Sequence, residues 1–143
     1  RDALDYRKWF EFRMFFKRGE EQKKPLTNAA FNRFSGGEKA MAMYVPLFAA
    51  VNAQYKKAEN KDHPRMIALD EAFAGVDDKN ISSMFELVHK LDFDYIMNSQ
   101  ALWGCFETVK GLRIAELLRP QNSRIVSVIR YTWNGKERML DEQ

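Results

Sequence analysis

"RMIALDEAFAGVD", residues 65–77, sets four apolar residues against two adjacent acids and then a glycine-containing loop. Met66 to Leu69 is short and apolar, and a Lys-, Asn- and Asp-rich loop over 56–64 precedes it; that pattern predicts a buried parallel strand. Asp70 and Glu71 then fall at its C-terminal edge, where ligands sit in open α/β sheets. An Asp there can hold Mg²⁺, directly or through water, and a neighbouring Glu can orient and polarise a water for attack on a phosphoryl group. Two acids by themselves equally fit a strand end that turns polar on reaching solvent. What raises this pair above that reading is the sequel, "AGVDD", a loop leading straight into a new helix.

Working outward, residues 77–91 carry Ile81, Met84, Phe85, Val88 and Leu91 on one helical stripe, with Asp77 placed to cap it. "DYIMNS", residues 94–99, is a second buried strand, and "LRIAELL" and "RIVSVIRYTW" supply two more. Upstream, Ala40, Met43, Tyr44, Leu47, Phe48 and Val51 mark a helix over 36–56, with Pro46 expected to bend its middle. From Asp5 to Lys17 apolar Tyr6, Phe10, Phe12, Met14 and Phe16 alternate with Arg7, Glu11, Arg13 and Lys17, which predicts one strand with a wet face. "KRGEEQKKP" then gives a turn and a return strand ending before Asn32. Strand, helix, strand, helix, strand is the order of an α/β sandwich.

Composition sets the class. The 143 residues are 45% hydrophobic and 13% aromatic, enough for one domain with a real core. The formal charge of +3 permits nucleic-acid contact without arguing for it. A single cysteine, Cys105, cannot make an internal disulfide. With no apolar run near the length of a membrane span and a charged amino end, the chain reads as cytoplasmic. It begins "RDALDY" without Met, which predicts a fragment of something longer.

Ahead of the 36–56 helix stands "FSGGEK". A helix N-terminus exposes unpaired N–H groups and partial positive charge. Glycines beside it let an anion approach the backbone, and a serine hydroxyl adds a donor. Ser35, Gly36 and Gly37 therefore read as an anion cradle; a capping box, with Ser35 as cap and Glu38 reaching back, fits the same residues.

Together, "FSGGEKAMAM" and "MIALDEAFAGVD" resemble the C-terminal half of an ABC-type ATPase head of the SMC, MukB and SbcC kind. The resemblance runs from about Phe31 to Gln100 and implies an α/β fold, the C-terminal lobe of a P-loop NTPase-like head with a mixed sheet flanked by helices. The whole of 1–143 is then that half-head, and the N-terminal lobe and a preceding coiled coil lie outside the chain. It implies that Ser35, Gly36, Gly37, Glu38 and Lys39 form the signature that contacts ATP bound on the opposite head. It also implies that Asp70 takes the magnesium role, that Glu71 is the catalytic carboxylate, and that Ala74, Gly75, Val76 and Asp77 form the D-loop. The cofactors implied are ATP and Mg²⁺. The partners implied are the N-terminal lobe, a second identical head, DNA, and nuclease or kleisin-type subunits, with no membrane.

Two departures qualify the likeness. Where such heads carry a switch histidine beyond the next strand, this chain has Asn98, Ser99 and Gln100. Gln100 can hydrogen-bond a phosphate or a water but cannot ionise as imidazole does. His63, in a charged loop, and His89, in the 77–91 helix, read as surface residues. The phosphate-binding G-x-x-x-x-G-K-[ST] pattern is absent, for the sole Gly-Lys pair, at Gly135, is followed by Glu137. The fragment by itself is thus expected to show negligible ATP hydrolysis. The alternative is a catalytically degenerate head serving as a nucleotide-gated dimerisation or DNA-binding module. Trp9, Trp103 and Trp133 could stack on bases, and Arg7, Lys8, Arg13, Lys17 and Arg18 could meet phosphates, but packing and a solvated face account for them better.

Overall fold

The computed structural model describes residues 4–6, 9–100 and 102–141, in two compact units, Arg1–Ser35 and Gly36–Gln143. In the first unit, β1 (Phe15–Phe16) pairs antiparallel with β2 (Lys24–Pro25), and α1 (Asn28–Asn32) follows. Thr27 caps α1 by accepting from the Ala30 N–H at 3.2 Å. Among the described residues the long strand expected over Asp5–Lys17 is not formed: only Phe15 and Phe16 are ladder pairs within it. A strand exists only where a partner supplies a ladder, and the return segment offers Lys24 and Pro25 before Thr27 opens a helix. Arg13 pairs with Glu11 at 2.6 Å and Lys17 with Glu20 at 3.9 Å, while Arg18 lies over the Phe16 and Phe34 rings. Arg7 and Lys8 lie outside the described residues.

The second unit contains α2 (Gly36–Tyr55), β3 (Met66–Leu69), α3 (Asp78–Lys90), β4 (Asp94–Met97), β5 (Leu112–Leu118), β6 (Ser127–Trp133) and β7 (Arg138–Leu140). β3 and β4 are parallel, in register Met66 with Asp94 through Leu69 with Met97, and α3 is the crossover between them. β5, β6 and β7 form a separate antiparallel meander. Parallel and antiparallel strands thus occupy different sheets among the described residues, where one mixed sheet was expected.

Ile81, Met84, Phe85 and Val88 of α3 are buried with Phe48 of α2, Ile67 of β3, Ala72, Phe73, Phe93, Val109 and Trp133. Edge-to-face rings continue this core, Phe73 against Tyr44 and Phe85, and Phe48 against Phe93. The α2 face differs from the predicted stripe: Met43 and Leu47 are exposed, and Met41, Tyr44, Val51 and Tyr55 join Phe48 on the core. That helix is apolar almost all round, so periodicity alone could not choose its buried side. It continues through Pro46 as one element.

β3 and β4 are covered on one face only. Ile67 is buried, whereas Met66 is 48% exposed and Ile96 62% exposed, so neither is the fully buried strand that its apolar run predicts. Arg65 ties the start of this sheet to the end of the crossover, donating to the Leu91 carbonyl at 2.7 Å, the Asp92 carbonyl at 3.0 Å and Asn52 Oδ1 at 2.8 Å. Trp133, in the core with Val109, donates its Nε1–H to the Val109 carbonyl at 2.8 Å.

Tyr95 on β4 carries a buried hydroxyl with no hydrogen-bond partner among the described residues, and burial pushes its pKa up to about 12. A buried orphan hydroxyl costs about 1–3 kcal/mol. Tyr95→Phe is therefore expected to leave stability unchanged or raise it by about 1 kcal/mol, read as a higher urea or thermal midpoint; a fall of that size would show a hydroxyl partner outside this fold.

Candidate functional site

The acids occupy a turn fixed by the β3–β4 register. Beyond Leu69 and Met97 the parallel ladder continues for one more residue: the Asn98 N–H donates to the Leu69 carbonyl at 3.1 Å, and the Ala72 N–H donates to the Asn98 carbonyl at 2.9 Å. The chain must then turn sharply, and it does so through two left-handed non-glycine residues, Glu71 at φ 47° and Phe73 at φ 58°. Each costs about 1–2 kcal/mol against an ordinary conformation. Burial of Ala72 and Phe73 holds the turn from below, and the Phe73 N–H reaches the Tyr44 hydroxyl at 3.4 Å. Packing thus fixes the second half of the turn, Ala72 and Phe73, while Asp70 and Glu71 remain exposed.

One exposed carboxylate completed by phosphate oxygens and waters is ordinary Mg²⁺ ligation, so Asp70 fits the magnesium role. No group of three or more His, Cys, Asp or Glu side chains among the described residues forms a metal cage; the remaining ligands would come from nucleotide and water.

The two glycines of "SGGE" stand against the loop that follows the acids. A Cβ on Gly36 would lie 3.0 Å from the Gly75 carbonyl oxygen. A Cβ on Gly37, which is buried, would overlap Asn80 Nδ2 and come within 2.7 Å of Asp77 Oδ2. Asp77 caps α3 by accepting from the Asn80 N–H at 3.1 Å, and its other oxygen accepts from Asn80 Nδ2 at 2.6 Å. These bonds, the side-chain one foremost, hold the Asp77 carboxyl below the usual aspartate range. The start of α2 and the 74–77 loop therefore meet backbone to backbone, and the glycines have a packing reason for being glycines beside any anion-binding one. The sequence reading offered an anion cradle or a capping box, and neither names this close approach to the 74–77 loop.

Ser35, the last residue of the first unit, is exposed, and Glu38 and Lys39 are half-buried in the first turns of α2. Gln100 is exposed, two residues beyond Asn98. Ser99, between them, accepts from the Leu102 N–H at 3.2 Å. His89 is exposed at the end of α3, while His63 is half-buried, its ring stacked on Tyr55 with centroids 5.3 Å apart. Trp103 lies under the Arg138 guanidinium at 3.8 Å and packs edge-on to Tyr131, so it serves the meander; Trp133 is core, and Trp9 is exposed.

Sequence reasoning missed the residue in closest touch with the acid turn. Asn98 Oδ1 accepts from the Glu71 N–H at 2.7 Å. The signal was available in the polar ends of two neighbouring parallel strands, which a shared register must bring together.

No helix of the described residues is long and apolar enough to cross a membrane. A family model described as "SbcC/RAD50-like, Walker B motif" matches residues 1–90, well over half of the chain. The matched span takes in both the "SGGE" glycines and the acid turn and ends at the last residue of α3. No curated protein matches the sequence.

Proposed function

The chain belongs to the SbcC/RAD50-like Walker B family, and from that premise we propose that it is the C-terminal lobe of a head that binds and hydrolyses ATP between two heads. The observation that carries this reading is the placement of Asp70 and Glu71, exposed on a packed turn at the C-terminal end of a parallel strand. Asp70 holds the magnesium, which when bound neutralises phosphate charge. Glu71 takes a proton from the attacking water as it approaches the phosphoryl group. Gln100 hydrogen-bonds the phosphate or that water.

The 143 residues hold no phosphate-loop pattern, so the cradle for this nucleotide comes from an N-terminal lobe. Ser35 to Lys39 act on the nucleotide of the opposite head, offering backbone N–H groups and a hydroxyl. Splitting cradle and acid from the opposing signature makes hydrolysis conditional on head closure, because phosphoryl transfer is catalysed mainly by positioning and charge neutralisation. The work done with that closure is organisation, processing or defence at DNA, a reading supported by the family; Arg13, Lys17 and Lys24 add nothing to it, since each is paired with an acid.

Ser35→Arg tests the split. In the full-length protein it is expected to abolish ATP-dependent head dimerisation, by bulk and by charge at the position of the opposing phosphate, while leaving ATP binding to the monomer within about twofold. Dimerisation at the parental level, followed by sedimentation with ATP, would remove the signature role. A second reading, a head that keeps nucleotide-gated closure without turnover, is favoured by Gln100 standing where an ionisable histidine is expected. Measurable hydrolysis by the parental protein that is lost in Glu71→Gln decides for catalysis.

A further inference from the structure

Glu71 can act as a base only if its carboxylate is aimed, and its backbone sits in a conformation that little in the local sequence favours. Its φ is 47°, in the left-handed region, at a residue with a full side chain. The buried neighbours Ala72 and Phe73 hold the turn from its C-terminal side. On the N-terminal side, the peptide N–H of Glu71 itself points to one side chain, that of Asn98, whose Oδ1 accepts at 2.7 Å. The orientation of that amide is dictated by chemistry, because a backbone N–H requires an acceptor. Asn98 is in turn held by its own main chain, through the Leu69 carbonyl at 3.1 Å and the Ala72 N–H at 2.9 Å. Three bonds from one residue therefore bracket Asp70 and Glu71 on both sides.

We propose that Asn98 is the positioning residue for Glu71, its side-chain oxygen fixing the left-handed peptide that aims the carboxylate at the attacking water. The role rests on the functional reading above and adds to it a residue whose effect is on orientation, not on nucleotide affinity. The main-chain groups of Asn98 that make its other two bonds are kept in alanine and aspartate, so removing the side-chain oxygen frees the Glu71 peptide without unpairing β3 and β4. Once freed, the peptide relaxes toward an ordinary φ and swings the carboxylate away.

The test is steady-state ATP hydrolysis by the full-length protein carrying Asn98→Ala, Asn98→Asp or Glu71→Gln. Asn98→Ala is expected to lower kcat about 10- to 100-fold, as a misaimed catalytic group does, with the KM for ATP within about twofold of parental. Asn98→Asp keeps the acceptor at the same place, and its added charge acts on nucleotide binding; kcat is expected to return to within about threefold of parental while KM rises. Hydrogen exchange supplies a readout independent of activity: the Glu71 N–H is protected in the parental protein and in Asn98→Asp, and loses protection in Asn98→Ala.

A parental kcat in Asn98→Ala, with Glu71→Gln inactive, overturns the positioning role and leaves the functional reading standing. Parental turnover in Glu71→Gln overturns both. A fall in thermal midpoint for Asn98→Ala without a fall in kcat shows a merely structural residue and also overturns the proposal. Should Asn98→Ala fail to fold, Asn98→Asp still decides, for a kcat lowered more than about 10-fold while the Glu71 N–H stays protected, or a parental kcat with that N–H unprotected, contradicts the positioning role.

Discussion

Glu71→Gln is expected to reduce ATP turnover by the full-length protein at least about 100-fold, the usual contribution of a positioned general base. Glutamine has the shape of glutamate and keeps a carbonyl oxygen that can hold the water, but it does not take the proton. On the proposed reading nucleotide binding falls to Asp70 with Mg²⁺ and to the phosphate cradle, and should change little. On the same reading ATP joins the heads and hydrolysis separates them, so the closed state should accumulate. Size-exclusion chromatography with ATP should show a stable dimer in Glu71→Gln that the parental protein forms only transiently. Hydrolysis at the parental rate would remove Glu71 from the chemistry.

The second large effect comes from packing. Gly37→Ala places a methyl group where Asn80 Nδ2 now sits and 2.7 Å from Asp77 Oδ2. Asn80 must swing away, and the 2.6 Å bond that joins it to Asp77 breaks. Overpacking of this kind costs about 1–3 kcal/mol. The obstructing atoms are the ends of two side chains, Asn80 and Asp77, and the nearer contact is with Asn80. In an Asn80→Ala background, where Asp77 is also released from its bond to Asn80, Gly37→Ala is expected to cost at least about 0.5 kcal/mol less than in the parental protein, a non-additivity that marks direct contact. The cycle is read from denaturation midpoints, with amide exchange at Asn80 and Ile81 reporting the α3 cap. Equal costs in both backgrounds would show that Gly37 is glycine for some other reason. The same variant should weaken ATP-dependent closure, because the start of α2 and the 74–77 loop would no longer keep their spacing.

The parts legible in the sequence were those where one residue pattern has one physical solution. The stripe Ile81, Met84, Phe85 and Val88 can be buried together only on a helix, and Asp77 stands where such a helix takes its cap. "MIAL" and "DYIM" were readable as strands on either side of that helix, and the structure pairs them in parallel, as a crossover helix allows. The alternation from Tyr6 to Phe16 was misleading because alternation describes a surface and not a partner, and within it only Phe15 and Phe16 find one. α1 and β7, at five and three residues, are too short to leave a period. At the site, the type of each acid was visible, but the left-handed turn was not, since neither Glu71 nor Phe73 is a residue that announces positive φ. Asn98 was noticed for its place in line, whereas its contact with Glu71 depends on register, which emerges only when two strands lie side by side.

The left-handed backbone at Glu71 also bears on how this protein would respond to selection for heat resistance. Glycine is the residue that φ 47° favours, so the mutation that most readily relaxes this turn is the one that deletes its carboxylate. On the proposed reading thermostability and turnover are set against each other at a single codon, and libraries screened for survival alone should drift toward robust, inert proteins.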